Sequence, residues 1–270
     1  MKMRIEPNGS GGRGKMSSES RKGKRRQKRI PAVQKLYDTC KEIFADCGPG
    51  IVPSPENVEK LAAVLDGMTQ EDVGLRPNMP CFSKDRAPII TYMRLHECDK
   101  FSIGIFCLPP KTVIPLHNHP GMTVFSKLLF GTMHIRSLDW ADKADDCKTM
   151  SAVDPKNDNG LCLAKVKVNS ELTQPCNTSI LYPADGGNMH RFTAKTACAV
   201  LDVLGPPYCD PEGRHCQYYQ ELPFPQISVG GDVSVEAEEE EGFAWLKEME
   251  KPDDHVIVGV AYNGPKIVRK

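Results

Sequence analysis

The 270-residue sequence predicts a mostly β protein, a sandwich or double-sheet barrel, with a layer of helices at its N-terminal end. Three observations carry this. From Ala87 onward, short runs rich in β-branched and aromatic residues follow one another: PIITYMRL, FSIGIFCL, KTVIPLH, TVFSKLLF, TMHIRSLDW, LAKVKVN, TSILYP, HRFTAK, CAVLDVLG and HVIVGVAYN. They are broken by turn signals at Cys98-Asp99, Pro109-Pro110, Gly131 and Asp185-Gly186-Gly187, a pattern foreign to βαβ units. Helical spacing is confined to the residues before them.

The helical layer begins at Pro31, where Val33, Leu36, Tyr37, Cys40, Ile43 and Phe44 fall on one face and Gly48 is placed to end the helix. A second helix starts with Ser54 as N-cap and Pro55 in the first turn, with Val58, Leu61, Ala62 and Leu65 as its apolar stripe. A third turn starts at Thr69, with Asp72 three residues on. Residues 30–270 are expected to form one domain, with helices over about 30–75. Two stretches do not fit the barrel: 141–160, polar and turn-rich, and 226–242, with the acidic run Glu236 to Glu241. Both are expected to be surface loops, the second docked back by Phe243, Trp245 and Leu246.

Composition narrows the class. Equal numbers of Lys+Arg and Asp+Glu, 35 each, conceal a division. Residues 1–29 hold eleven Lys or Arg against Glu6 and Glu19, in a setting of Gly and Ser without apolar periodicity, the composition of a disordered tail on an acidic domain. Its densest part, RKGKRRQKR from Arg21 to Arg29, suits nuclear import or nucleic-acid contact, or is a solvated charged tail. The rest of the chain offers no basic face, so direct nucleic-acid binding is not expected. No apolar run approaches the ~18 residues of a membrane span, and the N-terminus lacks an apolar signal-peptide core, so a soluble intracellular protein is expected. Eleven cysteines without a CxxC pair exclude a zinc ribbon and a thioredoxin-type motif, and are expected to be mostly reduced.

The chemistry is concentrated in PLHNHPGMTVFSKLLFG, residues 115–131. Side chains two apart on a strand share a face, so His117 and His119 point into one site while Asn118 points away. A third ligand is expected from a neighbouring strand, and His190 follows a glycine turn in LYPADGGNMH. Three neutral imidazoles bind divalent ions and leave positions open, as a catalytic metal needs; iron, zinc, nickel and cobalt all suit such a set. On spacing alone an H-x-H is also a satisfied surface pair. Asp202, on the apolar strand CAVLDVLG, is a buried carboxylate requiring a partner, either a cation or a turn amide. His96, His134, His215 and His255 carry no such argument and are expected to be structural.

His117-x-His119, Val124 and Gly131 resemble the first cupin motif, with Val124 where that motif has Glu; Pro183, Gly186, Gly187 and His190 resemble the second, loosened by one residue and lacking its terminal Asn. Loss of the carboxylate leaves three histidines, as in cupin thiol dioxygenases. HNHPGMTVFSKLLFGTMHIRSLDW, LYPADGGNMHRFTA and AVLDVLGPPYCDPEGRHCQYY together resemble the plant cysteine oxidases, relatives of animal cysteamine dioxygenase, over about residues 30–270. The resemblance implies a cupin-type double-stranded β-helix, a jelly-roll barrel, with Fe(II) held by His117, His119 and His190. It implies oxidation of the N-terminal cysteine of target transcription factors to the sulfinic acid with O2. Such oxidation commits those proteins to the N-degron route, which makes the enzyme an oxygen sensor. It further places Asp202 and Tyr208 near the iron, Asp202 to hold the substrate amine and Tyr208 to donate to bound oxygen or thiolate. A monomer in nucleus and cytoplasm is expected.

Two other readings stand beside it: a cupin dioxygenase or isomerase acting on a small molecule such as cysteine or cysteamine, and a non-enzymatic nuclear cupin-like binding protein. A free-cysteine site should offer an Arg to the α-carboxylate. The one Arg beside the metal segments, Arg191, is expected to face away.

Overall fold

The structure, a computed structural model, describes residues 30–82, 89–141, 160–223 and 242–269. The basic tail 1–29, nearly all of the 141–160 loop and the acidic run lie outside the described residues.

Helix α1 (Ala32–Ile43) buries the face its spacing predicts: Val33, Leu36, Tyr37, Cys40 and Ile43, with Phe44 just beyond its end. It stops at Phe44 rather than continuing to Gly48. The reason is packing, because the Phe44 ring leaves the helix to meet Phe101 and Phe125 at 6.0 and 6.5 Å between centroids. Helix α2 (Pro55–Asp66) starts as expected, with Ser54 Oγ accepting the Asn57 amide at 3.3 Å. Its anchors are Val58, Leu61, Val64 and Leu65, while Ala62 is only half-buried. The third turn is a 3-10 turn, Glu71–Val73, led by Thr69, whose amide and hydroxyl both donate to Asp72.

Among the described residues twelve strands follow: β1 (Ile90–Glu97), β2 (Ser102–Leu108), β3 (Val113–His117), β4 (Thr123–Phe130), β5 (Thr132–Trp140), β6 (Leu161–Thr173), β7 (Ser179–Leu181), β8 (Met189–Ala194), β9 (Cys198–Gly205), β10 (Tyr218–Pro223), β11 (Phe243–Met249) and β12 (Ile257–Val260). One sheet runs β12-β1-β2-β9-β4-β7. The other, β10-β11-β6-β5-β8-β3, closes on itself where Tyr218 pairs with His117. This is the double-sheet barrel expected, with two strands more than the sequence suggested. Strands β10 and β11 were not predicted as strands; Phe243, Trp245 and Leu246 do dock on the barrel, by pairing β11 with β6 and β10.

The helical layer covers the outer face of the first sheet, where α1 and α2 share a core with Ile103, Ile105, Phe125, Leu201 and Val203. A polar bond ties α2 to the barrel as well. Asp66 Oδ1 accepts from Lys127 Nζ at 3.3 Å and from the Thr178 amide and hydroxyl at 2.7 and 2.6 Å, and Lys127, 3% exposed, also donates to the Cys176 carbonyl. The inner faces of both sheets are left to enclose the site.

Candidate metal centre

The barrel brings His117, His119 and His190 together, with one ring nitrogen from each within 4.8 Å of the others. The pairing explains why. His117 ends β3 directly opposite His190 on β8, and His119 follows two residues on, its ring 4.8 to 4.9 Å from the other two. All three are buried. Burial drives each imidazole toward its neutral form, His117 to about 4 and His119 and His190 well below the usual value.

The tautomers are set from behind. His117 Nδ1 donates to the Pro115 carbonyl at 2.8 Å, leaving Nε2 as a lone pair for the site. Tyr208 donates its hydroxyl proton to the Asn118 carbonyl at 2.7 Å, so its oxygen accepts from His119 Nδ1 at 2.9 Å and directs His119 Nε2 inward. There it lies 3.1 Å from His190 Nε2. With the proton on His190 Nε2 this contact is a neutral hydrogen bond; with it on the buried, unpartnered His190 Nδ1, three lone pairs face one another, an arrangement that a divalent cation satisfies. The donor set therefore fits a divalent metal held by three neutral nitrogens. Among the described residues it is the one grouping of potential ligands of this kind.

A second layer fixes the spacing of the ligands. Asn188 receives the His119 amide on Oδ1 at 3.1 Å and gives Nδ2 to the carbonyls of His119 and Tyr182 at 2.8 and 3.0 Å. Asn188 is held in turn by Asp139 on β5, whose carboxylate accepts the amides of Gly186, Gly187 and Asn188 at 2.8 to 2.9 Å. Gly187 has φ +84°, and a Cβ there would come within 2.6 Å of Ser137 Cβ, so the turn requires glycine. Sequence reasoning passed over Asp139 and Asn188. Asp139 carried a usable signal, a carboxylate in the apolar strand TMHIRSLDW, the same signal that drew attention to Asp202.

The three histidines line a cavity of about 370 Å³ with Tyr92, Glu97, Ser102, Gly104, Phe106, Asp202 and Tyr208 among its walls. Asp202 is 6% exposed, and its Oδ1 has no hydrogen-bond partner among the described residues. Burial lifts its carboxyl to about 7, offset in part by the Ser126 hydroxyl. Val124, at the position where the cupin motif has Glu, is fully buried in an apolar patch with Met122, Leu181 and Tyr208. Among the described residues, no Arg or Lys lines this cavity. Arg191 turns outward to Glu221, which also binds Arg136. His96 packs on Tyr37 and Phe101, His255 approaches Tyr218, His134 is half-buried on β5 and His215 is exposed; none joins the centre. A larger groove of about 540 Å³, between the helical layer and β1 and β12, contains none of these residues.

Comparison with known proteins places this geometry in context. The family model PCO_ADO matches residues 64–267. Plant cysteine oxidase 1 of Arabidopsis thaliana is 58% identical over 247 residues, 88% of this chain and 81% of its own. The 2-aminoethanethiol dioxygenase of Homo sapiens is 31% identical over 225 residues, 79% of this chain and 82% of its own. A solved cupin superfamily protein of Desulfitobacterium hafniense aligns over 49% of this chain and 95% of its own, at 14% identity and a TM-score of 0.30.

Proposed function

The chain belongs to the PCO_ADO family and is a thiol dioxygenase, and from that premise we propose that it uses Fe(II) to oxidise the N-terminal cysteine of proteins to the sulfinic acid. The observation that carries the substrate reading is the charge of the cavity, in which Asp202 Oδ1 is a buried acceptor without a partner and, among the described residues, no Arg or Lys lines the wall to meet a carboxylate. A cysteine at a chain start offers a thiol and an amine but no free α-carboxylate. Free cysteine would bring a carboxylate into a cavity walled by Asp202 and Glu97.

When bound, iron(II) supplies the redox chemistry that allows O2 to react with a thiolate. The protein's own residues do the rest. His117, His119 and His190 present neutral nitrogens and leave the site's charge to be balanced by an anionic thiolate. Val124 keeps the wall behind them apolar where a carboxylate would compete with that thiolate. Tyr208 holds the His119 ring in the ligating tautomer, and Asp202 takes the substrate amine.

Transcription factors with an exposed N-terminal cysteine are the proposed cellular partners, their oxidation rate following O2 and feeding the N-degron route. The basic run Arg21 to Arg29 supports action in nucleus as well as cytoplasm. An amine-ended small thiol also suits a cavity lined by Asp202 and, among the described residues, by no Arg or Lys, and the human relative's name points to one. Iron-loaded protein given a Cys-initiated peptide, free cysteine and 2-aminoethanethiol in parallel decides between them. The proposal expects the peptide to have the highest kcat/KM; faster turnover of either small thiol would displace it.

A further inference from the structure

An ammonium group carries three N–H donors, and one carboxylate does not satisfy them all. Asp202 lies directly opposite Gly104 across the β2–β9 pairing, so both positions present the same inner face of the sheet. Gly104 has no side chain to present. Its space is filled by the ring of Tyr92, reaching across from β1, and a Cβ on Gly104 would lie 2.7 Å from Tyr92 Cζ and nearer still to the hydroxyl. The ring is steadied by Phe106, its direct partner across the β1–β2 pairing, at 4.9 Å between centroids. The missing side chain thus lets Tyr92 lie over the strand and carry its hydroxyl toward Asp202. The two groups feel each other: after burial, the Asp202 charge is the next cause that pushes the Tyr92 hydroxyl up to about 12, so it remains protonated at neutral pH. Both line the cavity that holds the three histidines.

We propose that Tyr92, laid across Gly104, is a substrate-positioning residue that forms with Asp202 a two-point seat for the α-ammonium of an N-terminal cysteine. The hydroxyl oxygen accepts one N–H while Asp202 Oδ1 accepts another, and the ring face walls off the space an N-acyl or N-alkyl group would need. Gly104 is the residue that permits this, since any side chain there displaces the ring. The inference rests on the reading of the substrate as an amine-ended thiol.

The test uses the iron-loaded full-length protein and two peptides, one beginning with cysteine and one identical but lacking the α-amine. Tyr92→Phe keeps the ring and removes the hydroxyl. It should raise KM for the Cys-initiated peptide about tenfold, the scale of one hydrogen bond to a charged group, with kcat and iron content near wild type. The inhibition constant of the amine-free peptide should not move. Gly104→Ala should raise KM at least as much, yet add nothing in a Tyr92→Ala background, because no ring remains to displace; this non-additivity separates seat geometry from general damage. Unchanged KM in Tyr92→Phe, or an equal effect on both peptides, would overturn the proposal while wild-type turnover leaves the substrate reading standing. Absence of wild-type turnover of the Cys-initiated peptide would overturn both.

Discussion

Burial sets the protonation state of each group in the centre, and it acts in opposite directions on bases and acids. The histidines are driven neutral, the form in which an imidazole can bind a metal, while Asp202 is driven toward its protonated form. His190→Ala, His117→Ala or His119→Ala should each lose iron and activity while the β-rich circular dichroism persists; full iron occupancy in soluble His190→Ala would contradict the ligand set. For Asp202 the sign of the pH effect follows from the folded value of about 7 lying above the ordinary carboxylate value of 3.8. Below pH ~4 both folded and unfolded chains hold the proton. Between about 4 and 7 the unfolded chain ionises first, so the metal-free protein loses stability as pH rises. Asp202→Asn removes that loss: its melting temperature should match wild type near pH 4 and exceed it above pH 7. Peptide turnover should meanwhile fall on the order of 10²- to 10⁴-fold. A melting temperature below wild type at every pH would mark Asp202 as structural. At this scale the sequence was legible where one residue contradicts its surroundings. His117 and His119 announce a shared face by their spacing, His190 follows a glycine turn that opens a neighbouring strand, and Asp202 stands out on an apolar strand. Asn188 gave no sign, because its role depends on lying between two strands that only the fold brings together.

Elements owe their placement to pairing as much as to propensity. YYQELP and FAWLKEM mix strand-forming aromatics with Glu, Lys, Ala and Pro, which strands disfavour, and they form β10 and β11 because β3 and β6 would otherwise leave ladder groups unpaired. Conversely α1 is shorter than its pattern, since Phe44 gains more from the aromatic core than from another helical turn. The turn into β8 is held by Asp139, and Asn188 at its end joins it to His119. Asn188→Ala should therefore weaken iron binding about 10- to 100-fold in a metal titration, with a small change in melting temperature. An affinity equal to wild type would show that the strands alone set the ligand spacing. Where α2 meets the barrel, Asp66→Ala would strand the buried Lys127 ammonium on a single carbonyl. A loss of about 3 kcal/mol is expected in urea unfolding, since a buried charge is left without its partner. A loss below ~0.5 kcal/mol would mean the contact is effectively solvated.

Across the whole molecule, a covered outer face and a hollow inner face divide the labour between stability and chemistry. The helical layer packs on the outside of one sheet, and the site opens inside the barrel. The fold class was legible because strand runs and turn signals repeat through some 170 residues, whereas the closure of the second sheet through Tyr218 and His117 is a long-range event no local pattern records. Residues 1–29 differ from this unit in composition, and the family model matches only from residue 64. Their deletion should leave peptide turnover within about twofold and shift a fluorescently tagged chain from nucleus toward cytoplasm. Loss of turnover would join the tail to the catalytic unit. The central claim, an iron centre that places both oxygen atoms of O2 on an N-terminal cysteine, is tested most directly by mass analysis of a Cys-initiated peptide after reaction with anaerobically purified, iron-loaded protein under isotopically labelled O2. The account predicts a product gaining two labelled oxygen atoms, formed only with iron present and not from the N-acetylated peptide. A disulfide, a single added oxygen, or oxygen drawn from water would contradict it.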